Sequence, residues 1–226
     1  MRTGTGCFGV TIAIAMITPY LIPAHEQRSE HQAANSRFIA SLAPAFSTDE
    51  ARAFTRRIRQ EFPDASHNVP VYIIGGGSTV TDYCSDDGEP QGTAGRPALA
   101  VLRGSGLGDV ALVITRYFGG TLLGTGGLVK AYTEAAQSVV RAVPRARRLK
   151  VHTAMLALPY NLLERIRLLS TRYGGTILGE DFGADVTMTL RFPIENYPAF
   201  QSALRELSSG SLQAETIETS EMLVPV

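Results

Sequence analysis

The segment DVALVITRYF, Asp109 to Phe118, carries an unbroken apolar run of β-branched character. Such a run is the mark of a central strand buried on both faces, since a strand with one wet face would alternate. It ends in GGTLLGTGGLVKAYTEAAQSVV, where Leu128, Tyr132, Ala135, Val139 and Val143 recur at helical spacing. The unit is therefore strand, glycine-rich loop and amphipathic helix. A strand of this kind needs layers on both sides of its sheet, which makes a mixed α and β domain the expected fold.

Neighbouring segments fit that frame. SRFIASLAP and NVPVYIIGGG read as strands, and STDEARAFTRRIRQEF between them reads as a helix opened by a Ser47 and Glu50 capping box. Ala51, Phe54, Ile58 and Phe62 form its apolar stripe, while Arg52, Arg56 and Arg59 share another face. Two readings of the arginines are open, a solvated face or a landing strip for phosphates. PALAVLRG, with Pro97 placed to start it, reads as a short helix.

Two stretches have the residues for chemistry. SDDGEPQGTAGRP holds Asp86, Asp87 and Glu89 among glycines and prolines, a composition that fits neither helix nor strand. In one reading, its carboxylates bond loop amides and pair with Arg96 or Arg116. In the other, they hold Mg²⁺ beside a phosphate, a hard ion that suits oxygen ligands. Ser85, Thr93 and Gly95 belong to the same loop, and His67 is a further candidate base. The second stretch carries Gly119, Gly120, Gly124, Gly126 and Gly127. Its spacing mimics a P-loop, but Thr125 and Gly126 stand where Lys and Ser or Thr should follow. Two readings are open, glycines that serve tight packing or a phosphate pocket over free helix amides; in the second, with Arg116 and Tyr117 at the strand's end and Lys130 one turn into the helix, a cation from each element is expected to converge on one phosphate.

Beyond Pro144 the character changes. Arg141, Arg145, Arg147, Arg148 and Lys150 cluster in one connection, where a domain boundary is expected. The remainder reads as strand, helix, hairpin, helix and strand, the ferredoxin-like order β-α-β-β-α-β. Val186, Met188, Leu190 and Phe192 alternate with polar residues, as one wet sheet face requires. His152 reads as a lone strand histidine without a catalytic role.

Lysine plus arginine and aspartate plus glutamate both total 21, so no global field steers the 226-residue chain toward nucleic acid or membrane. Cys7 and Cys84 fit no metal or disulfide spacing and favour a reducing, cytoplasmic setting. The apolar run CFGVTIAIAMI is shorter than the ~20 residues a membrane helix needs. Residues 1–20 are expected to be a disordered or mis-started extension, with a weak export-signal pattern as the other reading.

The motifs SRFIA, FPDASHN, SDDGEPQGTAGRP, GSGLGDV and TRYFGGTLLGTGGLVKAY, in this order, resemble the YigZ/IMPACT family from about Leu21 to the C-terminus. One departure is VPVYIIGGG, where the family commonly has an aromatic-rich or alanine-rich strand, and it leaves any role of His67 open. The resemblance implies an α+β protein of two domains. Residues 21–146 would share the sandwich fold of a ribosomal-protein domain and of elongation factor G domain IV, and 150–220 would be ferredoxin-like. It further implies regulation of translation, as in eukaryotic relatives that act under amino-acid starvation through a kinase activator. The expected partners are RNA, the ribosome or a translation-regulatory protein, with no membrane; the bacterial relatives have no settled activity, and a binding role is expected ahead of an enzymatic one. Against this stands a metal-dependent phosphate-ester or nucleotide hydrolase using the SDDGE loop. A peptidase-like hydrolase finds no motif.

Overall fold

The computed structural model describes residues 20–76 and 79–226. Residues 1–19, and with them Cys7 and all of the expected extension but Tyr20, lie outside the described residues; Tyr20 donates its hydroxyl to Asp109 at 2.8 Å. The fold is mixed α+β, with two sheets and five α-helices among the described residues. The described chain divides into two compact units, one of 20–147 with 223–226 and one of 148–222.

In the N-terminal unit, β1 (Ile22–Pro23) pairs with residues 145 and 146. Five further strands form one antiparallel sheet: β2 (Gln27–Ala33), β3 (Ser36–Pro44), β4 (His67–Gly76), β5 (Thr79–Cys84) and β6 (Val110–Tyr117), in the spatial order β2-β3-β6-β4-β5. The central place falls to β6, buried from Val110 to Arg116. Its Val110, Leu112 and Ile114 join one core with Phe38, Leu42 and Val71. Ala111 and Val113 join another core with Tyr72 on the opposite face. Helix α1 (Thr48–Glu61) covers the second face through Phe54 and Ile58. Helices α2 (Gly95–Ser105) and α3 (Gly124–Ala142) cover the first. The unbroken apolar run of β6 is thus explained by a helix layer on each side.

Helix α1 starts as its sequence dictates. The Ser47 hydroxyl accepts the Glu50 amide at 3.1 Å, and the Glu50 carboxylate accepts the Phe46 amide at 2.9 Å, one residue further back than in the usual box. Besides the two-residue β1, two strands are not foreseen by pattern. The polar β2, QRSEHQA, is an edge strand joined to β3 by a two-residue turn, Ala34 and Asn35, both at positive φ. The other is β5, TVTDYC, at the opposite edge of the sheet.

The C-terminal unit follows the expected order: β7 (Arg145–Leu158), α4 (Leu163–Arg172), β8 (Thr176–Phe182), β9 (Val186–Pro193), α5 (Tyr197–Leu207) and β10 (Glu215–Pro225). Strand β10 pairs with β7, which pairs with β9, which pairs with β8. The buried residues of β9 are the predicted Val186, Met188, Leu190 and Phe192, and they pack with Ile166, Phe200 and Leu204 of the two helices. His152 accounts for itself locally, with Nδ1 2.9 Å from the Thr219 hydroxyl and its ring beside Tyr197. No helix among the described residues is long and apolar enough to cross a membrane.

Because its side chain satisfies an otherwise orphaned helix amide, Ser47→Ala is expected to cost about 1 kcal/mol. Urea unfolding followed by circular dichroism measures the loss.

Candidate functional site

The carboxylate loop begins where the β4–β5 ladder stops. Pro70 of β4 accepts a hydrogen bond from the Ser85 amide at 3.1 Å but has no N–H to return one, so the chain departs at Ser85. Asp87, Gly88 and Gly92 then turn it through positive φ. Thr93 closes the turn by donating both its amide and its hydroxyl to the Pro90 carbonyl, at 3.1 and 2.6 Å.

Each carboxylate has its own partners. Asp86 accepts from the amides of Gly92 at 2.8 Å, Ala94 at 3.1 Å and Gly95 at 2.8 Å. It thereby caps α2, whose own cap residue, Ala94, supplies no side-chain bond. Burial alone would raise the Asp86 pKa, but these amides and the nearby charge of Arg96 hold it below its ordinary value. Gly95 is required by packing, since a Cβ there would lie 2.7 Å from the Ser85 carbonyl oxygen. Asp87 accepts from the Asn68 amide at 2.7 Å and is bonded by Arg59, while its carbonyl lies 2.8 Å from Nδ1 of His67.

Glu89 goes inward. Its Oε1 accepts from Arg116 at 2.6 Å and from the Tyr132 hydroxyl at 2.8 Å, and Nε2 of His67 stands 3.7 Å away. The side chains of Glu89 and Arg116 are only 3% and 7% exposed, so this is a buried ion pair. The guanidinium also lies 5.6 Å from the ring centres of both Phe38 and Phe118, and it reaches the Ser36 hydroxyl at 3.4 Å. Burial, followed by the Glu89 charge, pushes the Tyr132 phenol far above its ordinary range.

The glycines of the second stretch divide into two kinds. Gly119 is pressed against the β2–β3 turn: its amide donates to Ser36 at 3.2 Å, and a Cβ would fall 2.1 Å from the Asn35 carbonyl. Gly120 and Gly124 supply positive φ with open space around them. Gly126 is equally open, and Gly127 packs on Leu123. Helix α3 begins with exposed Gly124, Thr125 and Gly126, no side-chain cap bond and no acidic residue in its first turn. Lys130, 76% exposed, stands 3.9 Å from Glu134 on the same helix.

The expected convergence of a cation from each element, Arg116 and Lys130, on one phosphate does not occur, since Arg116 is buried against Glu89 while Lys130 is exposed. Successive strand residues point to opposite faces. Arg116 turns into the α2/α3 side, whereas Tyr117 donates to Asp64 at 2.9 Å and stacks under Arg37. The oxygen set expected for Mg²⁺ is not presented either. Asp86, Asp87 and Glu89 are directed to amides, Arg59 and Arg116 respectively, and no group of three or more potential ligands is assembled among the described residues. The same commitments disfavour the hydrolase. Sequence reasoning did not bring Tyr132, Ser36 or Arg59 to this cluster. A tyrosine on a buried helix stripe is a usable signal, since its hydroxyl needs a partner inside.

The chain matches the Impact N-terminal domain over residues 34–140 and a domain of unknown function (DUF1949) over 156–211. It is 38% identical over 200 residues to the IMPACT family member YigZ of Escherichia coli K12, covering 88% of this chain and 98% of that protein. The chain belongs to the YigZ/IMPACT family. Another IMPACT family member, from Haemophilus influenzae, is 37% identical over 206 residues. A solved structure described as a hypothetical protein superposes with a TM-score of 0.58 at 38% identity, covering 88% of this chain and 97% of that one. In this YigZ/IMPACT chain the two long motifs meet through Glu89, Arg116 and Tyr132, which makes them halves of one brace.

Arg116→Ala would strand Glu89 in the interior and is expected to cost about 3–5 kcal/mol in urea unfolding. Asp86 ionises more readily when folded than unfolded, so its contribution is present above about pH 4 and lost as pH falls through its lowered value. Asp86→Asn should therefore lower stability at pH 7 and flatten the acid limb. Tyr132 has the reverse sign: its contribution holds below about pH 10 and is lost on further alkalinisation, so Tyr132→Phe should flatten the alkaline limb. Urea midpoints measured from pH 2 to 11 report both.

Proposed function

We propose that this YigZ/IMPACT protein is a translation-linked, cytoplasmic binding protein that contacts RNA or the ribosome through the glycine-rich start of α3. The observation that carries the reading is the exposed, uncapped beginning of that 19-residue helix, with open amides at Gly124 to Gly126 and Lys130 one turn on. Unpaired amides and the positive end of the helix dipole favour a phosphate. The brace beneath supplies rigidity, because Arg116, Glu89 and Tyr132 fix β6, the carboxylate loop and α3 to one another. Kinship with elongation-factor domains supports the translational setting by analogy.

Co-sedimentation with ribosomes across a salt series tests the proposal. Gly126→Glu has room for its side chain and places a negative charge among the amides, and Lys130→Glu reverses the neighbouring charge. Saturable, salt-sensitive binding by the parent, weakened about tenfold in either variant, is expected. Parent-like binding by both variants overturns the reading. Arg116→Ala is unsuitable as the probe, since it dismantles the brace.

A further inference from the structure

The opposite face of the N-terminal sheet carries a second, unrelated surface. Along α1, Arg52, Arg56 and Arg59 are exposed in a row and form one wall of a groove of about 290 Å³. The floor comes from Tyr72 and Tyr83, cross-strand neighbours on β4 and β5. Their rings stack at 5.2 Å with planes 21° apart. Tyr72 is 6% exposed and backs Tyr83, which is 46% exposed. Thr55, Pro70 and Ser85 complete the lining.

A row of arginines alone is usually a solvated helix face. Here it faces an aromatic platform whose outer ring is open, and one of its members is uncommitted. Arg59 is bonded by Asp87, and Arg52 stands 3.7 Å from Asp49, but Arg56 makes no ion pair among the described residues. Guanidinium groups suit phosphates, and an open ring backed by a second ring suits a base, because every base has a π-face. The volume sits at the lower end of the ~300–1,000 Å³ typical of ligand pockets, room for a single nucleotide unit rather than a duplex.

We infer that the groove between α1 and the Tyr72–Tyr83 pair binds single-stranded nucleic acid, stacking one base on Tyr83 and holding the adjoining phosphates with Arg56 and Arg52. Recognition of this kind is tolerant of base identity and sensitive to salt. The site shares no residue with the start of α3 and stands or falls independently of it.

Fluorescence anisotropy of labelled oligouridine and oligothymidine dodecamers, with a duplex of equal length as control, tests the inference on the full chain. Tyr83→Ala should weaken single-strand binding about fivefold or more while leaving the salt slope unchanged. Arg56→Gln should reduce the slope of log K against log salt by about 0.7. Tyr83→Phe should bind like the parent. A preference for uridine over thymidine identifies RNA as the ligand, and equal affinity supports a single-strand site blind to the sugar. The inference is overturned if Tyr83→Ala and Arg56→Gln bind like the parent. It also fails if the duplex or a polyglutamate peptide binds as well as the single strands, which would mark a non-selective basic face. Loss of dodecamer binding with intact ribosome sedimentation, or the converse, separates this groove from the α3 contact.

Discussion

One buried ion pair sets the terms for the N-terminal unit. Arg116 sits at the end of the central strand with its charge turned inward, and among the described residues the carboxylate that meets it there is Glu89, delivered from a loop over twenty residues earlier in the chain. Burying two charges brings little net stability, since desolvation offsets most of their attraction. What the pair does impose is placement, because either charge alone in that interior is strongly unfavourable. Tyr132 attaches α3 to the same carboxylate, and Ser36 attaches the start of β3 to the same guanidinium. Four segments remote in sequence are thus held to one another by a few polar atoms.

The two glycine-rich stretches look alike as strings and act differently as backbone. Gly95 and Gly119 are small because another chain segment lies where a side chain would go. Gly124 and Gly126 have open space, so their lack of side chains exposes amides instead. The carboxylates show a parallel division: Asp86 substitutes for a missing helix cap, and Asp87 ties the loop to the start of β4 and to Arg59. A run that suggests a metal site is thereby consumed by its own folding. The two proposed contacts lie elsewhere, at the start of α3 and in the groove beside α1.

Much of this architecture was legible because burial leaves periodic traces. The two-sided burial of β6, the stripe of α3, the cap of α1 and the alternation of β9 are all written in apolar spacing. The edge strands β2 and β5 were not, since backbone pairing holds them and leaves no constraint on side-chain polarity. For the site, the sequence identified the loops and offered Arg116, beside Arg96, as a partner for one of the carboxylates in one of two readings. It did not reveal that Arg116 and Tyr117 serve opposite faces of the sheet, although strand alternation implies as much once the strand's end is known. Nor did it indicate the stacking of Tyr72 on Tyr83, which depends on the register of a strand that left no trace of its own.

The place of β6 at the centre of the sheet also governs how the chain acquires its structure. Its partner β3 lies far upstream, with Arg37 opposite Tyr117 and Pro44 opposite Val110. Until β6 exists, β3 and β4 have no strand between them and the backbone edges they turn toward it go unpaired. During synthesis, an N-terminal unit built this way acquires its order late, after α1, the β4–β5 hairpin and the carboxylate loop have already been made. Topologies dominated by such distant pairings fold slowly, because the intervening chain must be closed before any contact compensates the lost entropy.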